Sequence, residues 1–395
     1  MIIAAAVGAI LLLTVTLYGV LGGADFGGGL WDLLAGGDER GRVPRGLIDR
    51  SITPVWEANH VWLIFALVIF WTAFPDAFAA VMTAAALPLW LAVLGIVLRG
   101  SGFAFRKEVH RLSLQRTWGA TFAFSSLLTP FFMGTVVGGI AAGLIPADAR
   151  RASLSAWTGA TSLLTGFLFV GACAYLAAIY LIGEAARRDD RRMEVYFTRR
   201  AQVAGVVTGA LSLATLLELH ASDVAFFSRL TGRALPLVIA AAASGLAVLG
   251  LLTAGRLRGV RVLAALGVAA VVWAWGVAQY PALLPGTPVT LSNAGAPHAT
   301  LVAIVVLFIL LAVLVGPSFV LLFYLHGRRV LEHTADGEIV AGTGLAGGAP
   351  PSAGTPPWQP PPRAPESASR AVALGLVALG AIVRAFTRRR SGRPD

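Results

Sequence analysis

The sequence is short of cysteine, histidine and charge, and each shortage excludes a class of protein. One of its 395 residues is cysteine and six are histidine. The lone Cys173 excludes a disulfide framework and the paired cysteines that attach a c-type haem or hold a structural metal. Charged residues make up 13% of the chain, whereas soluble domains average about 25%. The chain is therefore not expected to fold as a soluble globular domain.

The histidines are too few for a protein that carries several haems by itself. Haem iron needs axial ligands inside the helices, usually in pairs, and only His60 falls well within an apolar run. We therefore expect no cofactor site and no metal site built from this chain alone. No HExxH, P-loop, GxSxG or strand-linked GxGxxG motif points to a soluble enzyme.

Apolar residues make up 57% of the sequence, and the mean hydropathy of the chain is +0.77. A helix needs about 20 mostly apolar residues to cross a bilayer. The sequence predicts an all-α polytopic membrane protein with about nine spans, at 2–24, 55–74, 77–98, 118–143, 157–183, 201–219, 235–254, 262–280 and 299–325. The first span has no basic residue before it, so we expect a retained anchor and not a signal peptide.

The net charge of +11 comes mainly from arginines that lie between the apolar runs. It therefore does not indicate a nucleic-acid partner. The arginines concentrate after the first, third, fifth and seventh spans, at 40–50, 99–116, 187–200 and 256–261. Because basic residues favour the cytoplasmic side, this alternation predicts an outside N-terminus and a cytoplasmic C-terminus.

Composition divides the chain into three predicted parts. Residues 1–330 form the transmembrane helical domain. Residues 331–369 are rich in Gly, Pro, Ala and Ser, which is typical of a flexible linker. Residues 370–395 hold a short apolar run flanked by arginines, and a helix lying on the inner leaflet is favoured there over a tenth span.

Two acidic residues stand out in the first apolar run. Ionisable groups in such surroundings are costly to desolvate and are functional candidates by default. Asp25 and Asp32, seven residues apart, are predicted on one helix face, roughly opposite the small-residue face of Gly19, Gly23 and Gly27. Asp25 is interpreted as functional, whereas Asp32 is interpreted as an interfacial residue.

The second span begins with a polar cluster, PVWEANHVW. Glu57 and His60 are three residues apart and can touch, so they form either a mutually satisfied polar pair or part of a proton relay. Trp56 and Trp62 fit an aromatic belt at the membrane interface. The predicted topology places Asp25 and Glu57 in the cytoplasmic half of the membrane, where carboxylates are suited to take up protons from inside.

Several stretches together resemble a known family. They are LGGADFGGGLWDLL, PVWEANHVWLIF with AFP, LRGSGFAFRKE, the TWG…GTVVGG segment, and NAGAPHATL with a later Gly-Pro. In this order and spacing, over roughly residues 1–330, they resemble subunit II of the cytochrome bd-type quinol oxidases.

The resemblance implies a nine-helix, haem-free subunit of an electrogenic quinol:dioxygen oxidoreductase in the bacterial cytoplasmic (inner) membrane. Its partner would be subunit I, which carries haems b and d and oxidises quinol, and membrane lipid would surround both. The motif match assigns Asp25 and Glu57 to a proton pathway, with Trp56, Asn59, His60 and Trp62 in support.

The chain departs from the family pattern at two positions. Gly22 stands where many relatives have a second acidic residue, and Glu57 stands where many have Asp. Two rival interpretations remain. One is a proton-coupled secondary transporter that uses Asp25 and Glu57, although no duplicated half or broken helix pair supports it. The other is a purely structural partner, whose buried acidic residues form ion pairs with arginines of another subunit and take no part in proton transfer.

Overall fold

The computed structural model describes residues 2–52, 56–108 and 112–327, and these form helices with no strand among them. The predicted linker and basic tail lie outside the described residues. The helices are α1 Ile2–Leu17, a π-helical turn Tyr18–Gly22, α2 Gly23–Leu33, α3 Asp38–Ile52, α4 Trp56–Ala73, α5 Pro75–Ala84, α6 Ala86–Glu108, α7 Leu112–Ala141, α8 Ser155–Thr158, α9 Ala160–Arg187, α10 Arg191–Ser222, α11 Val224–Thr231, α12 Leu235–Thr253, α13 Val260–Gln279 and α14 His298–Gly327.

The all-α membrane fold is confirmed. Within the described ranges, seven helices are long and apolar enough to cross a bilayer, and a bent pair raises the number to eight. Apolar side chains on their outer faces are widely exposed, as at Leu246 (70%) and Val313 (64%), which suits contact with lipid tails. The predicted number of nine spans and the predicted orientation remain predictions.

The chain breaks once between the predicted second and third spans and once more inside the third. Helix α4 ends at Ala73, and the chain turns by 118° into α5. Pro75 lacks an N–H and disfavours a helical conformation in the residue before it, and Phe74 has φ −136° and ψ 63°. The predicted third span at 77–98 is not one helix, because α5 ends at Ala84 and α6 begins at Ala86.

Two buried clusters lie at opposite ends of the bundle. One joins residues near the arginine-rich connections, among them Trp31, Ile48, Ile182, Phe197 and Val260. We call this side, which carries α3 and the connections at 188–190 and 254–259, the arginine-rich end. A second cluster lies away from these connections and contains Val7, Phe74, Ile145, Ala156 and Leu301. Residues from several helices therefore meet in each of the two clusters.

Helix α2 lies deep in the bundle because its glycines admit close neighbours. A Cβ atom at Gly27 would overlap the backbone carbonyl of Cys173 in α9, and one at Gly23 would come within 3.4 Å of Leu176. On its other side, Gly29 faces Ser126 of α7. Gly23 and Gly27 thus pack as predicted, whereas Gly19 has nothing within 4 Å of its Cβ position.

Candidate functional site

The site begins with a change of helical winding in the first span. The π-helical turn at Tyr18–Gly22 separates α1 from α2, and such turns occur often at functional sites. Asp25 follows three residues later and is 3% exposed. The remaining eight residues of α2 place it roughly 12 Å from the helix end, at 1.5 Å per residue. A carboxylate is thus buried inside the bundle, on the side of the arginine-rich end.

Asn59 in α4 is the side-chain partner of Asp25. Its Nδ2 donates to Asp25 Oδ2 and, at 3.3 Å, to the carbonyl of Leu21 in the π-helical turn. Asn59 is 3% exposed, and its Oδ1 has no hydrogen-bond partner among the described residues. One amide therefore fixes the carboxylate and the irregular turn together, while its oxygen stays available as an acceptor.

Arg99 of α6 is a member of the site that the sequence analysis missed. It is 2% exposed, and its Nη2 donates to the backbone carbonyl of Asp25 at 2.9 Å. Its Nη1 donates to Ser126 Oγ at 3.1 Å. The guanidinium also lies over two rings, with Cζ 4.7 Å from the centroid of Phe26 and 4.9 Å from that of Phe122. A buried cation thus lies beside the buried carboxylate.

Aromatic side chains cover the same region. The His60 ring lies 6.0 Å from that of Tyr18 and 6.1 Å from that of Phe26, between ring centroids. Trp62 is half-buried and packs against the cluster formed by Tyr18, Phe26 and Cys173. The structure therefore brings His60 and Trp62 to the wall of the Asp25 site, on the face of α4 turned towards α2.

The remaining predicted residues divide into two groups. The side chains of Trp56 and Glu57 lie outside the described part of the structure, so their roles stay predictions. Asp32 forms an ion pair with Arg45 of α3, at 3.1 Å between Oδ1 and Nε, which supports its interpretation as an interfacial residue. Although they share a helix, Asp25 and Asp32 thus have different partners.

The comparison with known protein families gives a match over most of the chain. The family described as cytochrome bd terminal oxidase subunit II matches residues 3–326. The chain belongs to that family.

Individual relatives are more distant. The chain is 27% identical to cytochrome bd ubiquinol oxidase subunit 2 of Bacillus subtilis (strain 168) over 225 residues, 55% of this chain and 63% of the relative. It is 26% identical to cytochrome bd-I ubiquinol oxidase subunit 2 of Escherichia coli (strain K12) over 198 residues, 48% of this chain and 50% of the relative. The matched segments thus span between half and two thirds of these relatives.

A solved structure supports the fold. A chain of the bd oxidase from Geobacillus thermodenitrificans superposes with a TM-score of 0.66 at 20% identity, covering 82% of this chain and 99% of that one. At that identity the likeness concerns the fold alone. It is consistent with the all-helical bundle of a cytochrome bd oxidase subunit II.

In the described ranges of this subunit II chain, no group of three or more His, Cys, Asp or Glu side chains could hold a metal ion. The three histidines whose side chains are described lie on different helices, with His60 against Tyr18, His220 against Phe227, and His298 at the start of α14.

Proposed function

We propose that this chain is the haem-free subunit of a bd-type quinol:dioxygen oxidoreductase. In this role it stabilises a haem-bearing subunit I in the bacterial cytoplasmic membrane and delivers cytoplasmic protons for the reduction of O2 to water. The observation that carries the proposal is the buried Asp25, hydrogen-bonded to Asn59 and next to Arg99 inside an apolar bundle. The quinol and the haems b and d belong to the complex, where the haems supply the electron transfer and the oxygen chemistry.

The chemistry of Asp25 supports proton delivery. Intramembrane carboxylates are rare and mark proton relays in pumps and transporters. The amide of Asn59 donates to the carboxylate, and the charge of Arg99 offsets a buried negative charge. Reducing dioxygen to water consumes one proton for each electron, so a carboxylate that takes up and gives back a proton serves this reaction directly.

Glu57 is proposed as the second carboxylate of this path on its motif match. It precedes Asn59 by two residues in α4. Trp56, His60 and Trp62 are proposed to shape the path around both acids. The rival transporter function is less well supported, because the described residues contain one bent helix pair, α4 and α5, and no second pair to match it.

The test is the variant Asp25→Asn, which keeps the size of the side chain and removes the titrating group. We expect oxidase turnover of the purified complex to fall by about 100-fold or more, because positioned general acid–base groups contribute about 10²–10⁴-fold. The haem absorbance spectrum should stay unchanged, because Asp25 is not a haem ligand.

Asp148→Asn is the control, since it removes the same charge at an exposed position in the connection between α7 and α8. It should leave turnover within about twofold of the parent, as is usual away from a functional site. Loss of all haem in Asp25→Asn would instead indicate a structural role, and unchanged turnover would refute proton delivery through Asp25.

A further inference from the structure

A cavity adjoins Asp25 on the side of Asn59. It has a volume of about 140 Å³ and lies between the π-helical turn, α2, α4, α9 and α13. Its polar lining comes from Asp25, Asn59, Tyr180 and Arg261, and its other walls are aliphatic. The candidate carboxylate is therefore not sealed on all sides, because one flank borders an internal space.

A second cavity continues from the first towards the arginine-rich end. It has a volume of about 210 Å³ and lies between α9 and the start of α13, with Leu257 and the exposed Arg258 among its lining residues. Ile179 and Arg261 line both cavities. The two spaces therefore adjoin, and together they lead from the connection before α13 to Asp25.

Arg261 lies at the junction of the two cavities and is fixed by its neighbours. Its Nη2 is 3.8 Å from Glu184 Oε1, and its Cζ is 4.2 Å from the centroid of the Tyr180 ring. Glu184 is buried and also pairs with Arg187. The carboxylate of Glu184 is shared by Arg187 and Arg261, so it offsets part of the positive charge at the junction.

The inner cavity suits water. A water molecule occupies about 30 Å³ in the liquid, and a buried one needs two to four polar partners. The inner cavity offers the Asp25 carboxylate and the 97%-buried Asn59, whose Oδ1 lacks a partner among the described residues. An apolar occupant would leave this acceptor unsatisfied, which is costly.

We propose that the two cavities form a water-filled proton inlet, running from the arginine-rich end between α9 and α13 to Asp25. The inlet rests on the proposed function, since it supplies the carboxylate that the proposed function uses. A water next to Asp25 gives a proton to the carboxylate, so that one O–H bond breaks as another forms. The next water restores the donor, and the proton lost is replaced from bulk solvent. No group is oxidised or reduced in this transfer.

Ala265→Leu in α13 is the test, because Ala265 lines the inner cavity and carries no charge. Leucine has nearly the helix propensity of alanine, so the main change is bulk inside the inlet. In the purified complex we expect oxidase turnover to fall about tenfold, with an unchanged haem spectrum and a larger solvent deuterium isotope effect. Ala270→Leu on the same helix lines neither cavity and should keep turnover within about twofold.

Comparison with Asp25→Asn separates the two proposals. Slow turnover in both Asp25→Asn and Ala265→Leu supports the inlet. Slow turnover in Asp25→Asn alone overturns the inlet and leaves the proposed function standing. Normal turnover in Asp25→Asn overturns both.

Cysteine at position 265 is a smaller change than leucine, and it tests the inlet if Ala265→Leu prevents assembly of the complex. In a Cys173→Ala background, Ala265→Cys and Ala270→Cys place one thiol inside or outside the inlet. The water-soluble cation 2-aminoethyl methanethiosulfonate should react about tenfold faster with the Ala265→Cys complex, since only a hydrated thiol forms the reactive thiolate. Equal reaction rates would show a cavity without water and overturn the inlet.

Discussion

Arg99 is expected to stabilise the fold through Asp25, and Arg99→Gln tests this. The substitution removes a guanidinium that donates to the Asp25 carbonyl and to Ser126, and that lies between the rings of Phe26 and Phe122. It keeps a polar side chain of moderate length but deletes the charge. The carboxylate of Asp25 then stays buried without the cation beside it.

The expected cost follows from these contacts. A buried hydrogen bond from a charged donor contributes about 1.5–3 kcal/mol, and a desolvated cation–π contact about 2 kcal/mol. These terms are not additive, because the same guanidinium makes all of these contacts. We therefore expect Arg99→Gln to lower the free energy of unfolding by about 2–4 kcal/mol.

A double-mutant cycle shows whether the cost arises from charge. The free energy of unfolding is measured in detergent for Arg99→Gln, for Asp25→Asn and for the double variant, with Arg256→Gln as the control that removes an exposed arginine. If the two charges compensate each other, the double variant should be more stable than the sum of the single effects by about 1–3 kcal/mol. Strict additivity, or a cost for Arg99→Gln no larger than that of Arg256→Gln, would refute the reasoning.

Two further predictions concern the packing of α2. Gly27→Ala should destabilise the protein by about 1–3 kcal/mol in the same unfolding assay, because its Cβ would overlap the Cys173 carbonyl, whereas Gly19→Ala has open space and should not. Trp31→Phe deletes the buried hydrogen bond from Nε1 to the Ala174 carbonyl, 2.8 Å long. It should cost about 1–3 kcal/mol, and a change below 0.5 kcal/mol would show that the bond contributes little.

Most of the fold could be predicted from the sequence because a bilayer permits few backbone structures to cross it. Every backbone polar group must be paired in lipid, so long apolar runs must be helices, and arginines between them set the ends. The end of α4 at Ala73 agrees with the predicted end of the second span, whereas the interruption at Ala85 was not predicted, because the run 77–98 contains no charged residue to mark it. The helix α3 was also missed, because its arginines and Pro44 resemble a loop when no neighbour is known.

Asp25 and Asn59 could be predicted as site residues because polar groups are conspicuous in apolar runs. Arg99 could not, since the predicted third span ended at residue 98 and left it in the following loop. Helix α6 in fact continues to Glu108, so Arg99 lies inside the helix and points into the bundle. The signal for this was the pair Arg106 and Lys107, which already provide the basic residues expected at a span end.

The two sides of the Asp25 carboxylate have different surroundings, and this difference indicates from which side a proton reaches it. On one flank, Arg99 is held between two aromatic rings and is 2% exposed. On the other flank, Asn59 borders the cavity that adjoins Arg261. In the proposed inlet, a proton therefore reaches Asp25 on the Asn59 flank. Arg99, on the side of Asp25 away from the cavity, then acts as a fixed counter-charge. Because of it, the carboxylate can lose its proton again without leaving an isolated charge in the membrane.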